Sequence, residues 1–193
     1  MRNCSSKRAR GPMAAAEPYL AEPSELSVFL KIPADDPRLL AALRAATRRF
    51  RGAVRHPVSL VTEDTVFLDG SGRPTLHLPA APLVHLHEVA IDGEALTGVK
   101  AKRRSGVLLH PSGCWPDWAE ITVVYDHGLN PVPEEVAEVV IDQARAIYRL
   151  DPAIQQITTG SESVSFAATA AVGITSQWQA AVDAHRLNRG DDA

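Results

Sequence analysis

Cysteine, aromatic residues and long apolar runs are all scarce in this chain, and each scarcity closes off a class of protein. Cys4 and Cys114 are the only cysteines, too few and too far apart for a disulfide framework, which fits synthesis in a reducing cytosol. No stretch approaches the roughly 18 consecutive apolar residues of a membrane span, and the opening residues lack the apolar run of a secretory signal. A net charge of only −3 excludes a globally basic nucleic-acid binder, though not a local basic patch. With aromatics at 5%, Ala, Val and Leu must supply most of the core. At 193 residues the chain can bury one good core or two small ones.

Catalytic signatures are missing as well. No GxSxG, HExxH, Walker loop or GxGxxG is present. DGSG at 69–72 is followed by no GK[ST], and Cys114 in PSGCWPDW has no identifiable base, so it reads as a structural thiol. Trp115 and Trp118 in the same loop read as packing or interface residues. The strongest hint of chemistry is His77, His85, His87 and His110. His85 and His87 alternate on one strand and so share a face, and with the others they approximate a three-histidine metal set. Glu88, however, adjoins His87 and is expected on the opposite face, and the glycine frame of a cupin motif is absent. Histidines alternating with leucines are more simply the polar face of an amphipathic strand. The expectation is therefore no catalytic residue, no cofactor and no metal.

What the chain does have is a strong helix at 133–150, PEEVAEVVIDQARAIYRL. Pro133 suits the first helical position. Glu134, Glu135 and Glu138 complement the positive end of the helix dipole, and Arg145 and Arg149 the negative end. Val136, Val140, Ala144 and Ile147 keep helical spacing, with Val139, Ile141 and Tyr148 widening the stripe. A face this wide needs partners on more than one side, and the helices near the N-terminus are the first candidates. Ser24 is positioned to cap a short helix in which Leu26, Phe29 and Leu30 share a face. Asp36 followed by Pro37 is a second cap, for a helix carrying Leu39, Leu40, Leu43, Ala46, Thr47 and Phe50 to about Arg51. On it Arg44, Arg48 and Arg51 share one face, either solvated or aimed at an acidic partner or at DNA phosphates.

Between the helices the period changes to alternation. VFLDGSGRPTLHLP is expected to form two strands about a Gly-rich turn. LVHLHEVAIDGEAL reads as a strand, a turn at Asp92-Gly93 and a return, and Lys102 to Gly106 as a charged turn before Val107 to Leu109. Ala119 to Tyr125 reads as the last strand. The predicted class is α+β: a small helical bundle, made of an N-terminal hairpin and the long central helix, with an inserted antiparallel β-sheet or small barrel and an extended C-terminal tail. The boundaries read as an arm over 1–18, the hairpin over 19–56, the insertion over 57–130, the central helix over 131–151 and the tail over 152–193. In the tail Val164 and Phe166 alternate in an extended segment fit to join another chain's sheet edge. Ser176 and Gln179 have capping-box spacing. Trp178 and Val182 lie on a short helix, facing either a partner pocket or the chain's own domain.

Taken in order, YLAEPSELSVFLKIPADDPRLLAALRAATRRF, FLDGSGRPTLHLPAAPLVHLHEVAIDGE, VPEEVAEVVIDQARAIY and SESVSFAATAAVGIT resemble head-to-tail connector (adaptor, or head-completion) proteins of long-tailed bacteriophages, notably those of actinobacteria. The likeness spans roughly residues 19–187. It does not extend to the arm before Pro18, and RGAVRHPV stands where such chains enter the sheet through a GR[VT]F-like sequence. The resemblance implies a non-enzymatic virion protein at the capsid vertex, made in the host cytoplasm. It implies a homo-oligomeric ring, usually a dodecamer, that contacts the portal protein and a tail-side completion or terminator protein. Packaged DNA would pass through the lumen without sequence-specific binding. On that view Val136, Val140, Ile147 and Tyr148 pack against neighbouring subunits, Val164, Phe166, Trp178 and Val182 dock onto partners, and Arg44, Arg48 and Arg51 line the channel or meet an acidic partner. Two other readings fit the same residues: an oligomeric assembly factor that never enters a particle, and a metal-dependent enzyme using the β-segment histidines.

Overall fold

Two hydrophobic clusters that share no residue organise the chain. In a computed structural model, which describes residues 18–149 and 175–187 together with the backbone of 156–159 and 162–165, the chain divides into two units. One combines Glu17–Ser59 with Leu129–Ala193, and the other contains Leu60–Gly128. Helices and antiparallel sheets together make the fold α+β. Among the described residues no helix is long and apolar enough to cross a membrane.

The first unit is helical. Helix α1 (Pro23–Leu30) starts with Pro23 at its first position behind Glu22, which offers no side-chain cap, so Ser24 lies inside the helix and does not cap it. Ser27 instead donates its hydroxyl to the Ile32 carbonyl at 2.6 Å, beyond the turn that ends α1 at Lys31 in the left-handed region. Helix α2 (Pro37–Val54) is capped by Asp36, whose Oδ1 accepts from the Arg38 and Leu39 N–H groups at 2.9 Å. It continues one turn past Arg51, to a left-handed Arg55. Helix α3 (Glu134–Arg149) begins where the Pro133 carbonyl accepts from the Val136 and Ala137 N–H groups. Helix α4 (Ser176–His185) is capped by Thr175, whose Oγ1 accepts from the Trp178 N–H at 3.1 Å, and not by Ser176. Thr175 directly precedes Ser176 and also carries a hydroxyl, and its extended backbone makes it the cap.

Helix α3 is the axis of this unit and packs against α1, α2 and α4. Val136, Val140 and Ala144 are completely buried in one cluster with Leu26, Leu39, Leu43, Phe50, Trp178 and Val182. This corrects the expectation that Val136 and Val140 pack against neighbouring subunits: their surface is consumed inside the chain. The N-terminal helices, the first candidates from the sequence, supply two of the neighbours, and the third is α4. Ile147 and Tyr148 remain half-buried at the edge of the cluster. Arg38 holds that edge, donating to the Tyr148 carbonyl at 2.9 Å with its guanidinium 4.8 Å from the Tyr148 ring centre.

The second unit is built of β-strands in two antiparallel sheets. Strands β1 (Val61–Asp69), β7 (Glu120–His127), β3 (Leu83–Ile91) and β4 (Glu94–Ala95) form one in that order, and β2 (Thr75–His77), β6 (Val107–Leu109) and β5 (Lys100–Lys102) the other. The turn at Asp92-Gly93 links β3 to β4 as expected. VFLDGSGRPTLHLP, however, is not a hairpin, because β1 pairs with β7 and β2 with β6. The glycines between them bond elsewhere. Gly70 N–H donates to the Ala119 carbonyl, its carbonyl accepts from Trp118, and Gly72 N–H donates to the Trp115 carbonyl. The Gly-rich stretch is thus stitched to the 115–119 loop and carries the chain from one sheet to the other. Both sheets contribute to one core, in which Leu76, Leu108, Trp115, Ile121, Val123 and Tyr125 are buried. Strands β8 (Gln156–Thr159) and β9 (Glu162–Ser165) pair with each other.

Candidate functional site

Strand β7 sorts its side chains by the strand period. Ile121, Val123, Tyr125 and His127 point into the core, while Thr122, Val124 and Asp126 stay partly exposed. On the inner face His127 Nε2 donates to Asp64 Oδ2 at 3.0 Å, and its ring lies 4.9 Å from that of Tyr125. Burial, with the Asp64 charge second, pushes the Tyr125 phenol well above its usual range, so it stays protonated.

On the outer face His87 Nε2 donates to Asp126 Oδ1 at 2.7 Å, and the His85 ring stands 4.5 Å from that of His87. Asp126 Oδ1 also accepts from the Glu63 N–H at 2.7 Å. Burial pushes the Asp126 carboxyl up, but the Glu63 N–H and the two histidines outweigh it, and the group lies below its ordinary value. His77 and His110 do not join this cluster. His77 is on β2 of the other sheet, and His110 follows β6 with its ring 5.2 Å from Trp115. The three-histidine set weighed from the sequence is therefore replaced by two histidines and an aspartate. Glu88 also departs from expectation. His85 pairs with Asp126 and Glu88 with Val124, so a register shift between Leu86 and Glu88 puts Glu88 on the same face as His85.

The basic row on α2 divides. Arg48 is exposed; Arg44 donates to the Tyr19 hydroxyl at 3.3 Å. Arg51 is turned to the helix's own end, donating to the Pro57 carbonyl and the Ser59 hydroxyl at 2.9 Å each. Trp178 and Val182 are buried against their own helical unit, Trp178 edge-on to Phe50 with ring centres 5.2 Å apart. This corrects their assignment as partner anchors and favours the intrachain alternative. Phe166 and the arm over 1–17 lie outside the described residues, and Val164 belongs to β9, of which only the backbone is described.

The exposed apolar surface lies elsewhere. Trp118 is 87% exposed, held in the left-handed region at φ 62°, and Val28 is 75% exposed. Phe29, Phe67 and Val84 are exposed as well. On α1 the sequence reading put Phe29 on the same face as Leu26, but only Leu26 is buried. The Arg145 guanidinium lies 4.9 Å from the Phe29 ring centre. The signal available in the sequence was the run VFL, too many apolar residues in succession for one helical face.

The α+β architecture has counterparts among solved structures. No family model and no curated protein matches the chain. Chains in the neck of an empty GTA particle computed with C6 symmetry and in the neck of a native GTA particle computed with C12 symmetry do. Each aligns with a TM-score of 0.59 at 16% identity, over 91% of this chain and 93% of the other. At that identity the likeness is one of fold, and it extends through nearly the whole of both chains.

Proposed function

We propose that the chain is a structural component of the neck of a phage-like particle, a head-to-tail connector that assembles as a homo-oligomeric ring below the portal. The observation that carries this reading is the common fold with GTA neck chains over 91% of the sequence. The motif order that resembles long-tailed phage connectors supports it independently. In this reading the ring, of twelve copies, extends the DNA channel and offers a surface to a tail-side completion or terminator protein. Ile147 and Tyr148, at the rim of the helical core, lie in the subunit interface, and exposed Phe29 and Val28 extend it. Arg44 and Arg48 face DNA or an acidic partner, while Arg51 serves the turn after α2. The segment holding Val164 and Phe166 docks onto a partner chain.

Negative-stain microscopy of the purified chain, alone and mixed with the cognate portal, tests this. Closed rings or ring-capped portals are the expected result. A chain that stays monomeric with portal, and is absent from purified particles, would sink the proposal; oligomers that never enter particles would indicate an assembly factor instead.

A further inference from the structure

Three breaks in regular pairing converge on Asp126. Strand β1 slips register between Val61 and Asp64, and β3 slips twice against β7, between Leu83 and His85 and between Leu86 and Glu88. The first slip leaves Glu63 at φ 52° with its N–H on Asp126 Oδ1. The last makes His87 the extra residue of a bulge, and bulges re-aim side chains. In a regular strand the two histidines would stand about 6–7 Å apart along β3. Here one nitrogen from each and one Asp126 oxygen all lie within 4.8 Å of one another.

We propose that His85, His87 and Asp126 form a zinc-class cation site that staples strand β3 to strand β7 where their ladder is interrupted. The donor set decides the metal. Two imidazoles and one carboxylate suit Zn²⁺ and its neighbours in the first transition series, whereas Ca²⁺ and Mg²⁺ want oxygen alone. Bonds of zinc length in tetrahedral geometry put ligand atoms about 3.3 Å apart. The 2.7 Å contact between His87 and Asp126 needs only a small opening, and His85 a small approach. Both histidine side chains are exposed and free of core packing, so side-chain rotation supplies these movements. The Glu63 N–H already orients the carboxylate, as an outer partner of a metal ligand does. Water completes the coordination. Glu88 shares the face but is not within reach of the three donors, and no proton-transfer role is assigned to it. The staple's role is mechanical: it replaces ladder hydrogen bonds lost at the bulges.

The experiment uses the full chain, stripped with a chelator and then titrated with Zn²⁺ alone, with Co²⁺ as a spectroscopic probe. The expected result is saturable uptake of one equivalent, a cobalt visible spectrum of four- or five-coordinate character, and a Tm that climbs with Zn²⁺ concentration. His87→Ala and Asp126→Asn should each weaken binding at least about tenfold. His77→Ala should bind as the parent does. In chelator all three variants should melt close to the parent, which separates loss of the site from loss of the fold. Uptake that persists in the His85→Ala, His87→Ala double variant overturns the proposal, as does a Tm indifferent to zinc or an equal response to Ca²⁺. The measurement is made on the subunit alone, so its outcome is independent of whether rings form.

Discussion

Replacing Trp178 by alanine is expected to destabilise the helical unit by about 3–5 kcal/mol, the range for truncating a buried large aromatic. Trp178 is 6% exposed and meets Phe50, itself wholly buried, at an interplanar angle of 85°. Such edge-to-face pairs add to the simple burial of area. The effect should concentrate at α4, because ten residues are too few for a helix to persist in water without tertiary contacts. Ala181 and Val182 complete its apolar face, and His56 Nε2 donates to the His185 carbonyl at 2.6 Å at its far end. With Trp178 gone, these contacts and the 3.2 Å hydrogen bond between His185 Nε2 and Glu135 Oε1 have little left to hold. Hydrogen exchange across 176–185 should accelerate well beyond the change at α2, and the denaturant midpoint should fall. Unchanged protection there would mean that α4 does not dock on Phe50. Undocking also uncovers part of the apolar cluster that α4 shares with α2 and α3, so the variant should self-associate.

That cluster shows where sequence reading reached its limit. Helices α2 and α3 were legible because their signals are local: Asp36 before Pro37, acids at the start of α3, arginines at its end, and apolar residues at helical spacing. What α3 packs against is not local. Its third neighbour begins at Ser176, beyond a segment with no apolar period to point back to it. Most strands of the β unit were legible one by one for the same reason, although β5 was not and Lys102, read as the start of a charged turn, ends that strand. The pairing of the strands was not legible. Strand β1 finds β7 across fifty residues of intervening chain, and nothing in a period of two says which partner a strand will choose. The Gly-rich stretch misled because glycine marks both a tight turn and a close approach of backbones, and here it marks the second. For the histidines the alternation was visible and the ligand partner was not, since Asp126 reaches His87 only through a bulge that inserts one residue.

Gly70→Ala should cost the β unit about 3 kcal/mol, the upper end of ordinary overpacking. A β-carbon there would lie 1.7 Å from the Pro116 carbonyl oxygen and 2.9 Å from its carbon, both backbone atoms that no rotamer change can move aside. The Pro116 peptide must shift, and it is tied on both sides. Trp115 before it is fully buried in the core, while Trp118 and Ala119 after it are bonded to Gly70 itself. Relief therefore comes only by withdrawing Trp115 or breaking the bonds at 2.9 and 3.1 Å that join the two segments. Gly52→Ala is the matched control. It sits in α2 with nothing within 4 Å of an added β-carbon, so the same change should stabilise the helical unit by about 0.5–1 kcal/mol. Urea unfolding of both variants, followed by tryptophan fluorescence, should thus move in opposite directions. A Gly70→Ala protein that unfolds with the parent would show that the 115–119 loop is free to retreat, and Trp118 would then have no fixed seat from which to meet a partner.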